Sequence, residues 1–382
     1  MPTRILIVIT GLQVGGAETM LFQLLTRWSA ALAPIVVSLT DVGRLGDELR
    51  RRGVRVEALG MNTTGFLPGL LKLYRLCRDE KPRAVFTWLY HADLVGGLVA
   101  RLAGCRTIVW NVRNTVIPWG AARWHVHVAA RLCAMLSWWL PRKILCCSTR
   151  AAAAHGKIGY RRQLFQILPN GFDADRFRPD PHARRNLCRE LGIPDHCFVV
   201  GRIARFDPQK DYASFLAAAA RLHSLLPDSR FVLVGKGVDG ENSEICADIE
   251  RLGLGGVVFL LGHRDDMPAL IAGLDLMVSS SIAEAFPNIL GEAMAAGVPC
   301  VATDVGDSAE LLGECGTIVP PGEPAALAEA CLEMLRCDRG VLRDLGMRAR
   351  ARVSERYDLS EIARRYEMLL LDVARGGADR WT

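Results

Sequence analysis

Two glutamates with seven residues between them, Glu284 and Glu292, lie in the stretch EAFPNILGEAMAAGVPCVAT, residues 284–303. Pro287 is predicted to be the first residue of a helix, where its missing N–H is not needed, and Gly297 is predicted to end that helix. A helix N-terminus binds phosphate well, whereas carboxylates beside it are suited to accept hydrogen bonds from hydroxyl groups. The two glutamates are therefore predicted to bind hydroxyl groups, one set on a ribose and one on a sugar. The alternative is a surface helix with two solvated glutamates.

Two cations, Arg205 and Lys210, follow a predicted strand over 198–203 and flank a proline-containing turn. Ligands of open α/β sheets gather at the carboxyl ends of strands, and two cations held there can neutralise a diphosphate without a metal ion. The alternative is a solvated basic turn. Farther along the chain, GKGVDG gives a G-x-G-x-x-G pattern that begins at Gly235 and marks a Rossmann-like turn, although this pattern is weak by itself.

The elements that must position these residues follow an α/β pattern that occurs twice. Because apolar runs alternate with helical stretches in both halves, each half is predicted to form a parallel sheet covered by helices. The length of 382 residues likewise favours two domains. The segment FDADRFRPDP, residues 172–181, is rich in Asp, Arg and Pro and is predicted to be a linker.

Polar residues of the first half are also predicted at the carboxyl ends of strands. His91 follows a strand over 84–89, and Arg113 and Asn114 follow a strand over 107–110. All three should therefore point toward one cleft. His91 could instead be a satisfied polar residue at a strand end.

These motifs resemble those of retaining glycosyltransferases of family 4, the glycosyl transferases group 1. The resemblance rests on E-x7-E followed by A-M-A-x-G-x-P, on the G-G-A-E loop at 15–18, on R-x4-K and on PNGFDADRFRP. It covers nearly the whole chain and is more specific in the second half. It implies the GT-B fold, an α/β architecture of two Rossmann-like domains facing a cleft. Residues 1–180 would be the acceptor-side domain and 181–359 the nucleotide-sugar domain, with a helix at about 360–378 packing back on the first.

The resemblance also implies a role for each candidate residue. Glu284 would contact the donor sugar near its reacting carbon, and Glu292 would bind the ribose of the nucleotide. The implied catalytic residues are Glu284, Arg205 and Lys210; the donor-binding residues are Gly16, Asn288, Ile289, Glu292, Gly235 and Asp266; the acceptor-side residues are His91, Arg113 and Asn114. Many family members carry a histidine near the last two residues. This chain has none there, which leaves the acceptor-side catalytic group open.

The implied reaction is transfer of a sugar from a nucleotide diphosphate sugar, taken here as a UDP-sugar, with retention of anomeric configuration. The resemblance implies no cofactor, and no metal requirement is expected. The D-A-D sequence at Asp173 and Asp175 could be a metal-binding carboxylate pair. That motif serves the other transferase fold, GT-A, and is therefore discounted.

Composition points to a cytoplasmic protein with an anionic partner. Residues 1–170 hold 23 lysines and arginines against 8 aspartates and glutamates, a net charge of +15 in a chain of net charge +6. Tryptophans and arginines over 119–143, among them Trp119 and Arg123, suit either a membrane-surface helix or a core helix with one basic face. Twelve scattered cysteines without C-x-x-C predict reduced thiols. The expected acceptor is lipid-linked or a saccharide, as in bacterial surface-polysaccharide assembly.

Three other functions remain open at this point. An NAD-type Rossmann oxidoreductase would use GKGVDG, with Asp265 or Asp266 holding a ribose, but would leave Glu284 and Glu292 unexplained. A glycosyltransferase could act on a small soluble acceptor. A module that binds nucleic acid or membrane would explain the basic half, but the complete donor-site set argues against it, and no nucleic-acid partner is expected.

Overall fold

The computed structural model describes residues 2–62, 65–115 and 124–376. The chain forms two compact units, Met1–Gly171 together with Leu359–Thr382, and Phe172–Asp358. The first boundary therefore lies at 171/172 rather than at the predicted 180/181. The predicted linker belongs to the second unit because it is packed there: Phe177 is buried, and Arg350 donates to the carbonyl oxygens of Ala174 and Phe177, each at 2.9 Å.

The first unit is built on a seven-stranded parallel sheet. Its strands are β1 (Thr3–Ile9), β2 (Leu32–Ser38), β3 (Arg55–Ala58), β4 (Ala84–Trp88), β5 (Ile108–Val112), β6 (Lys143–Cys146) and β7 (Phe165–Ile167), in the order β3-β2-β1-β4-β5-β6-β7. Its helices are α1 (Gly16–Leu25), α2 (Gly43–Arg51), α3 (Phe66–Glu80), α4 (Tyr90–Leu102), α5 (Trp124–Leu136) and α6 (Thr149–Lys157). A short 3-10 turn, Arg162–Leu164, precedes β7.

Burial on both faces explains why the central strands of this sheet are apolar throughout. The β1 residues from Ile5 to Ile9 are all fully buried, as expected when helices cover both sides of a parallel sheet. The last helix of the chain also packs here: the indole of Trp28 donates to the carbonyl oxygen of Ala363 at 3.2 Å, and the hydroxyl of Ser29 donates to Glu367. The C-terminal helix therefore belongs to the first unit.

The second unit is built on a six-stranded parallel sheet. Its strands are β8 (Phe198–Ile203), β9 (Ser229–Val234), β10 (Val258–Leu260), β11 (Leu276–Ser279), β12 (Cys300–Thr303) and β13 (Gly316–Val319), in the order β10-β9-β8-β11-β12-β13. Its helices are α7 (Ala183–Leu191), α8 (Tyr212–Leu225), α9 (Ser243–Arg251), α10 (Met267–Ala272), α11 (Asn288–Ala295), α12 (Ser308–Leu312), α13 (Pro324–Arg336) and α14 (Arg339–Arg356). The C-terminal helix described above is α15 (Leu359–Arg375).

The order of strands in the second sheet reverses between β8 and β11. From β8 the chain moves outward to β9 and β10, and it then returns to β11 on the other side of β8. Loops that leave the carboxyl ends of strands at such a reversal diverge and leave a crevice for a ligand. The turn after β8 and the loop after β11 are therefore brought together, which is where Lys210 and Glu284 lie.

Two further features concern the length and polarity of the helices and the state of the cysteines. Within the described residues, every helix is too short or too polar to span a bilayer. All twelve cysteines are free thiols, and most of them are buried.

Candidate active site

The central feature of the second unit is an ion pair between Lys210 and Glu284. Lys210 ends a 3-10 turn, Pro208–Lys210, and Glu284 lies on the loop after β11. The ammonium group of Lys210 donates to Glu284 Oε1, and the hydroxyl of Ser281 donates to the same oxygen at 3.0 Å. Both charged side chains are largely buried. Two predicted catalytic residues are thus in direct contact.

Arg205, the other predicted cation, lies at the surface of the same turn. Its guanidinium donates to Asp207 Oδ2 from Nε at 3.1 Å and from Nη2 at 2.9 Å. Burial opposes ionisation of Asp207, but the backbone N–H of Gln209 and the Arg205 guanidinium outweigh it and hold the pKa of Asp207 below its usual value. The side chain of Arg205 is more than half exposed, so its donors remain accessible to an anion from solvent.

Helix α11 positions Asn288, Ile289 and Glu292. The helix begins at Asn288, so Pro287 is its N-cap rather than its first residue, a shift of one position from the prediction. Pro287 has extended backbone dihedrals (φ −78°, ψ 100°), which an N-cap requires. Asn288 and Ile289 occupy the first turn, where backbone N–H groups lack helical partners. Gly297 follows the helix with φ +75°, as predicted for a C-terminal glycine.

Glu292, on α11, has a pKa above the usual value of a glutamate. Burial raises the pKa of Glu292 to about 7, although the positive charge of Arg176 opposes this shift. Among the residues that the structure describes, no hydrogen bond or ion pair is recorded for the Glu292 carboxyl group. When ionised, such a carboxyl group can accept hydrogen bonds from ligand hydroxyls on both oxygens.

The first and last glycines of GKGVDG differ in how closely other atoms approach them. Gly235 has φ +153°, and a Cβ atom there would lie 1.9 Å from the carbonyl oxygen of Ala204. Gly235 is therefore required where the loops after β8 and β9 approach each other. Gly240 has open space around its Cα. The pattern is thus explained by backbone packing at its first glycine and does not require a dinucleotide.

Asp266 is held on the surface by an ion-pair cluster. It immediately precedes α10 and accepts from Arg264 Nε at 2.8 Å and Nη2 at 2.6 Å, while Arg264 also donates to Glu190 on α7. The guanidinium of Arg264 lowers the pKa of Asp266. The predicted contact of Asp266 with the donor would have to share or break this pair.

The D-A-D sequence forms a turn. The carboxylate of Asp173 accepts from the backbone N–H groups of Asp175 at 3.2 Å and Arg176 at 2.9 Å. This use of a carboxylate is typical of an Asx turn.

The predicted acceptor-side residues of the first unit have mixed environments. Arg113 is buried: its guanidinium donates to Tyr366 Oη at 3.3 Å and to Asn170 Oδ1, and it lies 4.9 Å from the ring of Trp88. Arg113 is therefore committed to the core, which corrects the expectation that it points into a cleft. Its neighbour Asn114 is partly exposed.

His91 and Gly16 each lie at the beginning of a helix. His91 is in the first turn of α4, two residues beyond the predicted strand end, and its Nε2 lies 3.2 Å from Nδ1 of His125 on α5. Burial, and next the neighbouring His125, lower the pKa of His91. Gly16 begins α1, and Gly15 before it is the N-cap in extended conformation. The backbone of Gly16, a predicted donor-binding residue, therefore lies at a helix N-terminus.

Sequence reasoning missed the residues beneath the Lys210–Glu284 pair. Arg202 on β8 is a charged residue with 1% of its surface exposed, and it contacts Ser280 and Ser281. One signal was present: Arg202 interrupts the apolar strand FVVGRI. The two serines carry no such signal, because serine is common in loops.

Comparison with known proteins covers both units. The family described as glycosyltransferase family 4 matches residues 14–176, and that described as glycosyl transferases group 1 matches residues 194–337. The UDP-Gal:alpha-D-GlcNAc-diphosphoundecaprenol alpha-1,3-galactosyltransferase of Escherichia coli is 28% identical over 70% of this chain and 69% of its own length. The putative glycosyltransferase EpsF of Bacillus subtilis is 28% identical over 79% of each chain.

A solved structure gives a similar result. The crystal structure of Anabaena Alr3699/HepE in complex with UDP and glucose has a TM-score of 0.85 and 25% sequence identity, covering 97% of this chain and 100% of HepE. These matches leave the NAD-type oxidoreductase alternative without support.

Proposed function

Since the chain belongs to the family 4 glycosyltransferases and has their GT-B fold, we propose that it transfers a sugar from a UDP-sugar to a lipid-linked saccharide, with retention of configuration. The observation that carries the proposal is the Lys210–Glu284 pair at the strand-order reversal of the second sheet. UDP is chosen because HepE was crystallised with UDP-glucose and with UDP and glucose.

The chemistry assigned to the site is electrostatic stabilisation of the departing diphosphate. Negative charge grows on the leaving oxygen as the glycosidic bond breaks, and fixed cations placed there lower the barrier. Lys210 and Arg205 supply the two positive charges, and the backbone N–H groups of the first turn of α11, at Asn288 and Ile289, supply hydrogen bonds. The positions of both cations are set by ion pairs, Lys210 with Glu284 and Arg205 with Asp207.

The two glutamates have different roles in this mechanism. Glu284 orients the ammonium group of Lys210 and lies where the donor sugar would be bound, so it acts on the reacting end of the donor. Glu292 accepts hydrogen bonds from the ribose hydroxyls, remote from the breaking bond. Loss of Glu284 should therefore mainly lower kcat, and loss of Glu292 should mainly raise the donor KM.

The lipid-linked acceptor is proposed from the chemistry of the first unit. Helix α5 buries one face and exposes apolar side chains on the other. The exposed set, continued beyond the helix end, is Trp124, Val128, Leu132, Met135, Trp138 and Trp139. Arg131 is exposed on the same helix. Trp119 and Arg123, which were part of the sequence prediction, lie outside the described residues.

Helix α3 carries a second exposed apolar set that the sequence analysis did not identify. Phe66, Leu67, Leu71 and Tyr74 are exposed on it, next to the exposed cations Lys72, Arg75 and Arg78. Both α3 and α5 pack against α4. They therefore flank the same helix, and together their apolar and basic side chains suit an anionic membrane surface.

This surface supports a peripheral location at the cytoplasmic leaflet. The E. coli relative named above is described as acting on a diphosphoundecaprenol-linked sugar, which is a membrane-anchored, negatively charged acceptor. A basic first unit with interfacial tryptophans fits an acceptor of that class. A small soluble acceptor remains the competing proposal.

The proposal is tested with nucleotide release from a panel of UDP-sugars and GDP-mannose, each with and without a diphosphoundecaprenol-linked sugar in detergent. We expect one UDP-sugar to be consumed, faster with the lipid-linked acceptor, and activity to survive EDTA. The Glu284→Gln variant is the matched inactive control. Release that a soluble saccharide stimulates and the lipid-linked sugar does not would favour the competing acceptor. No consumption of any donor would contradict the proposed function.

A further inference from the structure

Arg202 is a fully buried guanidinium directly beneath the Lys210–Glu284 pair. It lies on β8, the strand next to the order reversal, and its three hydrogen-bond acceptors within the described part of the chain are neutral. Nε donates to Ser280 Oγ at 3.2 Å, and Nη2 donates to the carbonyl oxygen of Lys210 at 2.5 Å and to Ser281 Oγ at 3.4 Å. The guanidinium also lies 5.3 Å from the ring of Tyr212.

A cation at this position is expensive for folding. Central strands of parallel sheets are normally apolar, and a buried charge without a carboxylate in contact loses its hydration for modest compensation. Burial accordingly lowers the pKa of Arg202, although Tyr212, Glu284 and Asp211 oppose this shift. An aliphatic side chain could fill the space of Arg202 without this penalty, so stability of the sheet does not explain the arginine.

The hydrogen-bond directions connect Arg202 to both members of the ion pair. Each serine hydroxyl has one proton. Ser281 accepts from Arg202 and can give its proton to Glu284 Oε1 at 3.0 Å. Ser280 accepts from Arg202 and can give its proton to the carbonyl oxygen of Lys210 at 3.0 Å or of Asp211 at 2.9 Å. Through the two serine hydroxyls, the Arg202 guanidinium thus helps to fix both the turn after β8 and the loop after β11.

The turn that Arg202 holds is strained. Asp211, directly after Lys210, has φ +48°, a left-handed conformation that is uncommon for a residue with a side chain. Such strain persists only where surrounding contacts maintain it. Arg202 and Ser280 bind the carbonyl oxygens on both sides of this position, and the N–H of Ile282 donates to Gln209 O at 2.9 Å. These bonds tie the turn after β8 to the loop after β11.

We infer that Arg202 is a positioning residue for the transfer reaction: it holds Lys210 and Glu284 in register through Ser280 and Ser281. The inference rests on the proposed function, because it assigns Arg202 a role at the same site. Arg202 has no direct contact with a reacting group in this role. It acts by fixing two loops that come from opposite sides of the strand-order reversal.

The test is a double-mutant cycle on Arg202 and Ser281. It measures kcat by nucleotide release from the UDP-sugar that wild type consumes fastest. We expect Arg202→Met to lower kcat about a hundredfold and Arg202→Lys, which keeps a charged donor, to restore about a tenth of wild-type kcat. Ser281→Ala should lower kcat about tenfold, because only the link to Glu284 is cut. The double variant should then be within about threefold of Arg202→Met alone.

A purely structural role would produce a different pattern. Arg184, which binds Asp275 and the carbonyl oxygen of Cys197 in the same unit, provides the control: Arg184→Met should lower the melting temperature but leave kcat within about threefold. Multiplicative losses in the double variant would overturn the inference. If Arg202→Met does not fold, the other two single variants decide. Wild-type kcat in both Arg202→Lys and Ser281→Ala would then overturn the inference. Absence of turnover by wild type with every donor would overturn the proposed function, and the inference with it.

Discussion

Lys210 donates a hydrogen bond to Glu284 although 74 residues separate the two in the chain. The contact forms because the turn after β8 and the loop after β11 emerge from adjacent strands at the carboxyl edge of one sheet. It places a cation for a diphosphate beside a carboxylate for a sugar. Each charge therefore neutralises the other, and a bound donor has to replace or join this pair.

Removing the carboxylate of this pair should affect the chemical step. We expect Glu284→Gln to lower kcat by roughly 10²- to 10³-fold with a much smaller change in donor KM, because the interaction is proposed to matter most as the bond breaks. Steady-state nucleotide release measures both constants. Glu244→Gln, on the exposed first turn of α9, removes the same charge elsewhere in the unit. Wild-type kinetics for Glu284→Gln would contradict the assignment of the site.

Removing Arg205 should weaken binding of the diphosphate. A hydrogen bond to a charged group contributes about 1.5–3 kcal/mol, so Arg205→Ala should lower UDP affinity about ten- to a hundredfold by titration calorimetry. Arg221→Ala on α8 is the matched control, because Arg221 is also exposed and carries the same charge. Equal losses in both variants would attribute the effect to net charge rather than to a specific contact.

The raised pKa of Glu292 predicts a pH-dependent affinity for the donor. Ribose hydroxyls donate to an ionised carboxylate more strongly than to a carboxylic acid, and the pKa of Glu292 is about 7 in the ligand-free protein. Affinity for UDP-glucose should therefore rise between about pH 6 and pH 8. UDP-glucose is the suitable probe because its diphosphate is fully esterified and does not titrate in this range. The Glu292→Gln variant should bind more weakly at high pH and show no such rise.

The same pKa predicts the stability of the ligand-free protein. The folded pKa of about 7 lies above the usual value of 4.5, so the folded state keeps a proton that the unfolded chain has already lost. Glu292 therefore costs stability progressively as pH rises from about 4.5 to about 7. Melting curves of wild type and Glu292→Gln should diverge over this interval, with the variant relatively more stable at the higher pH. Parallel curves would contradict the shift.

Gly291 is predicted to be intolerant of any side chain. A Cβ atom there would lie 2.1 Å from the ring of Phe172, which stacks near Phe286 and Tyr357. We expect Gly291→Ala to destabilise the protein by about 1–3 kcal/mol, the usual cost of overpacking, in chemical denaturation. Gly240→Ala is the control, because nothing lies within 4 Å of its added Cβ. A Gly291→Ala variant as stable as the control would show that the ring can move freely.

Membrane attachment is predicted to depend on the exposed apolar side chains of α5 and the residues after it, and on the cations of residues 119–143. Met135→Ser with Trp139→Ser should reduce co-sedimentation with anionic vesicles, and so should replacement of Arg123, Arg131, Arg142 and Lys143 by glutamate. Each cation near an anionic surface contributes about 1 kcal/mol, so binding should also fall as salt rises. Leu225→Ser removes an exposed apolar side chain from the second unit and should have no effect. Equal recovery with neutral and anionic vesicles would contradict membrane attachment and leave the transferase assignment intact.

Local sequence patterns were sufficient for the elements and for part of the site. Apolar runs between helical stretches predicted parallel sheets, because periodicity and turn residues are properties of neighbouring residues. The same reasoning placed Arg205 and Lys210 at the carboxyl end of a strand and Glu284 on the loop before a helix, and it predicted the C-terminal glycine of α11. Its errors included a shift of one position at Pro287, which is the N-cap rather than the first helical residue, and a linker over 172–181 that belongs to the second unit.

Tertiary structure decided which polar residues are available and which are committed to the core. Arg113 appeared equivalent to other polar residues at strand ends, yet its guanidinium is bound by Tyr366, 253 residues away on α15. Arg202 interrupts an apolar strand, but only the fold brings Ser280 and Ser281 to it across the strand-order reversal. Sequence spacing determines which strand a residue follows. Contacts between residues from distant strands depend on strand order and packing, and a local pattern contains neither.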